Sequence, residues 1–161
     1  MLLIIKMSVQ LFTGDGSVFF VDEEVAKQSE TIAHIIEDMG TEDPVPIPNV
    51  DSDTLKLIIQ FCEFYSNHHV EEEDKEFDSV FFDMDINKII LVLSAANFLN
   101  IPQLLKKASM AVANLIRGRS PKELRTLLVI KQEYTKEEMD SIMHENRWAF
   151  APKVQVAYRQ N

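Results

Sequence analysis

Several clusters in this chain have residue types that could do chemistry. His68-His69, just ahead of Glu71-Glu72-Glu73-Asp74, offers imidazole and carboxylate ligands for a divalent cation. Adjacent histidines in a loop are poorly placed around one tetrahedral ion, and no fixed spacing to a further His or Cys supports a site. A solvated charged loop accounts for the run. Cys62, the only cysteine, could be a nucleophile, but it shares the apolar stripe of Leu55, Ile58 and Ile59 and has no basic neighbour to lower its pKa. A small buried hydrophobe is the stronger reading. Thr13-Gly14-Asp15-Gly16 is glycine-rich, yet it lacks the strand–loop–helix context and the lysine of a phosphate loop, so a turn explains it. Paired acids are abundant only where solvent explains them. This inventory contains no catalytic residue, no metal ligand set and no cofactor site. What remains is Trp148, the only tryptophan, in Glu145-Asn146-Arg147-Trp148. Two readings stay open: it closes a small core of its own chain, or it anchors a partner, since aromatics dominate interface hot spots.

The elements that must position these residues are organised around Ile86–Gly118, which reads as two helices meeting at Asn100-Ile101-Pro102. Ile86, Ile89, Ile90 and Leu93 form a stripe on the first, with Val92, Ala95 and Leu99 elsewhere. The second carries Leu104, Leu105, Ala108, Val112, Leu115 and Ile116 at helical spacing. Asn100 is the expected cap of the second helix, Gln103 its box partner, Pro102 its first-turn residue and Gly118 its terminator. A helix apolar on several sides has to be sandwiched, by its own chain or by a partner.

Upstream, Val9–Phe12 and Val18–Val21 flank a glycine-bearing turn and predict a hairpin. Asp22 is the expected cap of a short helical turn. Ser29 caps a helix with Ile32, Ile35, Ile36 and Met39 on one face, ended by Gly40. Pro44-Val45-Pro46-Ile47-Pro48 is extended by its prolines and can form only an edge strand. Asp51 or Ser52 opens the helix that carries Cys62. Asn67–Asp78 lacks apolar periodicity and predicts a charged loop. Downstream, Ser120-Pro121-Lys122-Glu123 and Thr135-Lys136-Glu137-Glu138 are capping boxes for short helices over Pro121–Val129 and Lys136–Asn146. Leu124, Leu127, Leu128, Val129 and Ile130 crowd the first of these, and Trp148 and Phe150 follow the second. That is much apolar area on elements with few neighbours.

A chain of 161 residues, 46% of them hydrophobic, can bury one sizeable core. Its formal net charge of −10 argues against nucleic acid or an anionic membrane as partner, because phosphate contact needs a basic face. The charge is uneven: eight acids against Lys75 over Glu71–Asp85, and seven bases against Glu123 over Ile101–Lys131. The basic run reads as a solvated helix face. A single cysteine excludes an internal disulfide and fits a reducing compartment. MLLIIKMS is too short for a spanning helix or a secretory segment and reads as an extension ahead of the first element. The expectation is a cytoplasmic and nuclear protein.

Eight ordered blocks carry a resemblance: DG and VD within 15–22, VAKQSETI at 25–32, EDMG at 37–40, DPVPIPNV at 43–50, LSAANFLNI at 93–101, VANLIRGRSPKELR at 112–125, IKQEYTKEE at 130–138 and ENRW at 145–148. From Val9 to Trp148 the chain resembles the Skp family, the S-phase-kinase-associated adaptors of SCF ubiquitin ligases. The resemblance implies an α+β chain: a BTB/POZ fold with a small sheet and helices, plus a C-terminal helical extension that grips F-box proteins. The implied division is 8–66 and 79–118 for the BTB/POZ fold, 67–78 an acidic flexible loop, 119–150 the extension and 151–161 a tail. The implied function is non-catalytic, a bridge between a cullin and F-box substrate receptors. By position, Asn97 and Phe98 match the cullin-facing pair, and Leu105, Ser109, Val112, Ile116, Leu128, Ile130 and Trp148 match F-box-facing positions. An F-box helix is expected to fill a groove between the central helix pair and the terminal helices.

The chain departs from the family pattern in places. The acidic insert near 67–77 is short, and Phe61 and Phe77 stand where tryptophan is usual. Phe98 replaces a tyrosine, and Leu128-Val129 replaces a Phe-Asn pair. The leader and tail are longer than usual. These mark a divergent paralogue with altered partner choice. Other architectures fit less well. An elongin-C-like adaptor ends near the central helix, whereas this chain continues through Ser120–Trp148. A self-associating BTB/POZ scaffold is the other alternative, and self-association in the absence of partners is expected of some adaptors of this type.

Overall fold

The computed structural model describes residues 8–67, 71–130 and 134–150. The expected hairpin is present: β1 (Ser8–Thr13) and β2 (Val18–Asp22) pair antiparallel from Ser8 opposite Asp22 to Phe12 opposite Val18, with no break in register. Strand alternation sorts the side chains, sending Val9, Leu11 and Val21 into the core and leaving Phe12, Val18 and Phe20 in solvent. β3 (Val45–Ile47) runs parallel to β1, giving the order β2-β1-β3 and placing the proline-rich strand at an edge, as its missing N–H groups require. The hairpin turn is tied to the rest of the fold. Asp15 accepts from the Ser52 N–H at 2.9 Å, and a Cβ on Gly14 would lie 2.2 Å from the Pro48 carbonyl oxygen. Only glycine fits that close approach.

α1 (Glu23–Ala26) follows β2 directly, and α2 (Glu30–Met39) starts at Ser29, whose hydroxyl accepts the Ile32 N–H at 3.1 Å. Ile32 and Ile36 are buried and Ile35 packs beside them, whereas Met39 is exposed at the helix end. α3 (Ser52–Asn67) opens with Asp51 accepting the Thr54 N–H, and buries Leu55, Ile58, Phe61, Cys62 and Tyr65.

The loop expected over 67–78 is not a loop from Glu71 on. α4 (Glu71–Phe81) is a helix, and an aromatic cluster holds it. Phe77 stacks on Phe64 with ring centroids 3.8 Å apart, and Phe81 lies 5.5 Å from Phe61. Phe77 and Phe81 are one turn apart on the same face, so the helix docks by aromatic contact. Asp78 completes the attachment, accepting from the Tyr65 hydroxyl at 2.7 Å and pairing with Lys107.

α5 (Ile86–Phe98) and α6 (Pro102–Ile116) form the central pair. Ile86, Ile89, Val92, Ala96 and Leu99 make the buried stripe of α5; of the expected stripe, Leu93 is half-buried and Ile90 is exposed. The junction also differs from expectation. Asn100, at φ +48°, ends α5: its N–H bonds to the Asn97 carbonyl and the Ile101 N–H reaches back to Ala96 at 2.9 Å. That is a left-handed helix stop. Ile101 is the residue ahead of α6, and no side chain caps that helix. Gly118, at φ +75°, follows the end of α6 as expected.

α7 (Pro121–Leu127) and α8 (Lys136–Glu145) each begin with a complete capping box, and α9 (Arg147–Phe150) follows. Two compact units result, one through Leu128 and one from Val129 onward. By this grouping α7 belongs with the first unit. The leader Met1–Met7, the His68-His69 pair and the tail at 151–161 lie outside the described residues.

Candidate functional site

The C-terminal end of α5 is held by hydrogen bonds to its last carbonyls as well as by its buried Ala96 and Leu99. The Ser29 hydroxyl donates to the Leu99 carbonyl at 2.5 Å, the Glu30 N–H to the Asn100 carbonyl at 3.1 Å, and the Thr31 hydroxyl to the Phe98 carbonyl at 3.3 Å. Asn100 also donates its side-chain amide to Glu30. The start of α2 thus grips the end of α5, meeting carbonyls that the helix leaves unpaired. Asn97 and Phe98 sit on this fixed end, both exposed, Phe98 by 41%. Further up the outer side of the same helix, Ile90 and Leu91 are exposed as well. Sequence reading placed Ile90 in the core because α5 is apolar all round, so periodicity could not select the buried side.

On α6, Leu105, Ser109, Val112 and Ile116 recur at i, i+4, i+7 and i+11, which puts them on one face about 100° round the helix from the buried Leu104 and Ala108. None of the four is buried. The Ser109 hydroxyl donates to the Leu105 carbonyl at 2.7 Å, so this position presents little free polarity. A groove of about 720 Å³ between α4 and α6 is lined by Val80, Phe82, Met110 and Leu115 with Asp78 and Lys107; it lies off that four-residue face. Leu128 ends the first unit, half-buried.

In the second unit Ile130 is 54% exposed and Trp148 is 78% exposed. Tyr134, Ile142 and Met143, absent from the expected site, are exposed too. Neither α7 nor α8 buries a single residue. An indole so open does not close a core of its own chain, which removes one of the two readings of Trp148. The structure places Leu105, Ser109, Val112, Ile116 and Leu128 in one unit and Ile130 and Trp148 in the other.

The chemistry of the arrangement is that of a binding surface. Cys62 is buried, and burial pushes its thiol up to about 12, leaving it neutral near pH 7 and inaccessible to substrate. Burial also pushes the Tyr65 hydroxyl up to about 12. Burial opposes the charge on Lys107, but its bonds to Asp78 and Tyr65 outweigh that and raise it, so the trio is a structural clasp between α3, α4 and α6. Among the described residues no cluster of His, Cys, Asp and Glu could hold a metal ion, and no helix is long and apolar enough to cross a membrane.

Both parts of the chain match known protein domains. Residues 7–67 match the Skp1 family tetramerisation domain, and residues 102–149 match the Skp1 family dimerisation domain. SKP1-like protein 11 of Arabidopsis thaliana is 40% identical over 152 residues, covering 90% of this chain and 97% of the relative. The S-phase kinase-associated protein 1 homolog of Tetrahymena thermophila is 37% identical, with 88% and 93% covered. SKP1-like protein 20 of Oryza sativa subsp. japonica is 34% identical, with 90% and 95% covered. The small three-stranded sheet under helices is the POZ part of that pattern, and the chain belongs to the Skp1 family.

Proposed function

We propose that this Skp1-family chain is the adaptor of an SCF-type cullin–RING ubiquitin ligase, joining a cullin to F-box substrate receptors without catalysing a step itself. The observation that carries the reading is the apolar area left in solvent after the POZ core is complete: Ile116, Ile130 and Trp148 are all more than one-third exposed. Isolated apolar residues are ordinary on a surface, but a fixed helical face followed by an open tryptophan is the pattern of an interface. Leu105, Ser109, Val112, Ile116, Leu128, Ile130 and Trp148 supply the F-box surface. Asn97 and Phe98, on the fixed end of α5, supply the cullin contact. A helix of the F-box receptor is the fitting occupant, since amphipathic helices dock by apolar anchors at helical spacing. The protein works in the cytoplasm and nucleus, where such ligases act.

Co-purification with a cullin N-terminal domain and an F-box peptide tests this directly. The double substitution Asn97→Ala with Phe98→Ala is expected to lose the cullin while retaining the F-box peptide, because both side chains are exposed and neither fills the core. Loss of both partners together would show that the fixed end of α5 is a folding element and not a docking site.

A further inference from the structure

The two edges of the sheet are built differently. On the β3 edge Pro46 has no N–H to offer, and Pro44 and Pro48 flank it, which blocks strand addition. The β2 edge carries no proline, no lysine and no bulge over Val18–Phe20–Val21. Which backbone groups face outward follows from the turn. The Thr13 N–H bonds to the Ser17 carbonyl at 3.0 Å, so the hydrogen-bonded pairs continue as Leu11 with Phe19 and Val9 with Val21. Val18 and Phe20 therefore turn their N–H and C=O groups away from β1, toward a side where no described strand lies.

The same residues expose apolar side chains. Val18 is 48% exposed and Phe20 69% exposed, and Phe12, directly opposite Val18, is 44% exposed. Pro46, opposite Phe12 on β3, is exposed on the same face, so an apolar row crosses the whole sheet. An open backbone edge asks for an extended strand, and the apolar row beside it asks for an apolar one.

We infer that the β2 edge pairs with the β2 edge of a second copy of this chain, antiparallel about a two-fold axis through Phe20. In that register Phe20 faces Phe20 of the other copy on the outer side of the sheet, a cross-strand aromatic pair, and Phe19 faces Val21 on the core side. A two-fold through any neighbouring peptide bond would set outward residues against inward ones, and one through Phe19 or Val21 would keep the faces but separate the two Phe20 rings, so the Phe20-centred register is the one that pairs them. The partner is another copy because VFFV is itself the extended apolar segment the edge requires. A strand pair with one ring from each copy covers less than the roughly 1,200 Å² of a stable interface, so the dimer forms with rising concentration and is not obligate. Each copy carries a formal net charge of −10, so salt strengthens the pairing by screening their repulsion. This surface is separate from the positions assigned to the cullin and to the F-box, and its failure would leave that assignment intact.

Sedimentation velocity of the full chain, from about 1 to 200 µM and at low and high salt, tests it. The expected result is a monomer–dimer equilibrium that shifts to dimer with concentration and with salt. Phe20→Lys, at an exposed position, is expected to keep the wild-type melting temperature and remain monomeric throughout. Phe20→Cys, the one exposed thiol in a chain whose Cys62 is buried, is expected to form a covalent dimer with a short bismaleimide. The inference is overturned if the wild type is monomeric at every concentration, or if Phe20→Lys associates like the wild type while Trp148→Ala does not. It is also overturned if dimers appear only after residues 1–7 are removed, which would give the edge to that segment.

Discussion

Phe61 and Trp148 are both large aromatic residues, and they show how differently the two units of this chain use such side chains. Phe61 is fully buried, with Tyr65, Phe77 and Phe81 all within about 6.2 Å by ring centroid. Trp148 is 78% exposed, in a unit whose helix α8 buries nothing. In the first unit apolar area is consumed by folding. In the second it is left over, and α8, a helix of 10 residues with none buried, draws its order from its capping box. A single chain thus separates apolar area spent on a fold from apolar area left in solvent.

The largest test of that contrast removes an aromatic from the closed unit. Phe61→Ala should destabilise by about 3–5 kcal/mol, since it deletes the centre of the cluster that holds α4, whereas Met143→Ala, at a 47%-exposed position of α8, should change stability by under about 0.5 kcal/mol. Urea midpoints of the two variants check this. Equal effects would erase the distinction between the units.

A smaller effect concerns the boundary itself. Val129 has φ +53°, a left-handed conformation that a β-branched residue adopts only under strain. Asparagine tolerates it better, so Val129→Asn should raise stability by about 1 kcal/mol. A fall in the melting temperature would show that the exposed valine side chain matters more than its backbone.

The smallest effect is electrostatic. Accepting from the Thr54 N–H holds the Asp51 carboxyl below its ordinary 3.8, and the Thr135 bonds hold Glu138 below its ordinary 4.5. A carboxyl that titrates lower when folded stabilises fully above its unfolded value, and that stabilisation is lost as pH falls through the folded one. The α8 box and the start of α3 should therefore both weaken as pH falls below the ordinary carboxylate range. Circular dichroism between about pH 7 and pH 2 follows this, and Glu138→Gln should remove the contribution of the α8 box to the acid loss of helix.

Much of the closed unit was legible in the chain because its signals are local. The hairpin, the Ser29 cap, the edge position of Val45–Ile47 and the Ser120 capping box follow from short patterns with one physical meaning each, as does the Thr135 box of the second unit. α4 was missed because Phe77 and Phe81 sit among Asp74, Glu76 and Asp78, and the charge hid a two-ring face that has meaning only against Phe61 and Phe64 of α3. Asn100 was assigned to the wrong helix since the same residue type caps a start and tolerates the left-handed stop, and only the Ile101 bond to Ala96 decides between them. For the docking positions, sequence spacing shows that Leu105, Ser109, Val112 and Ile116 share a face. Which face is left open depends on what packs opposite, and that is a tertiary fact.

The account rests on apolar residues near the carboxyl end being held out for another protein, and Trp148→Ala measures this most directly. Titrated with an F-box peptide by calorimetry, the variant should melt with the wild type yet lose about 2 kcal/mol or more of affinity, a dissociation constant weaker by some thirtyfold. An unchanged dissociation constant in a folded Trp148→Ala protein would contradict it.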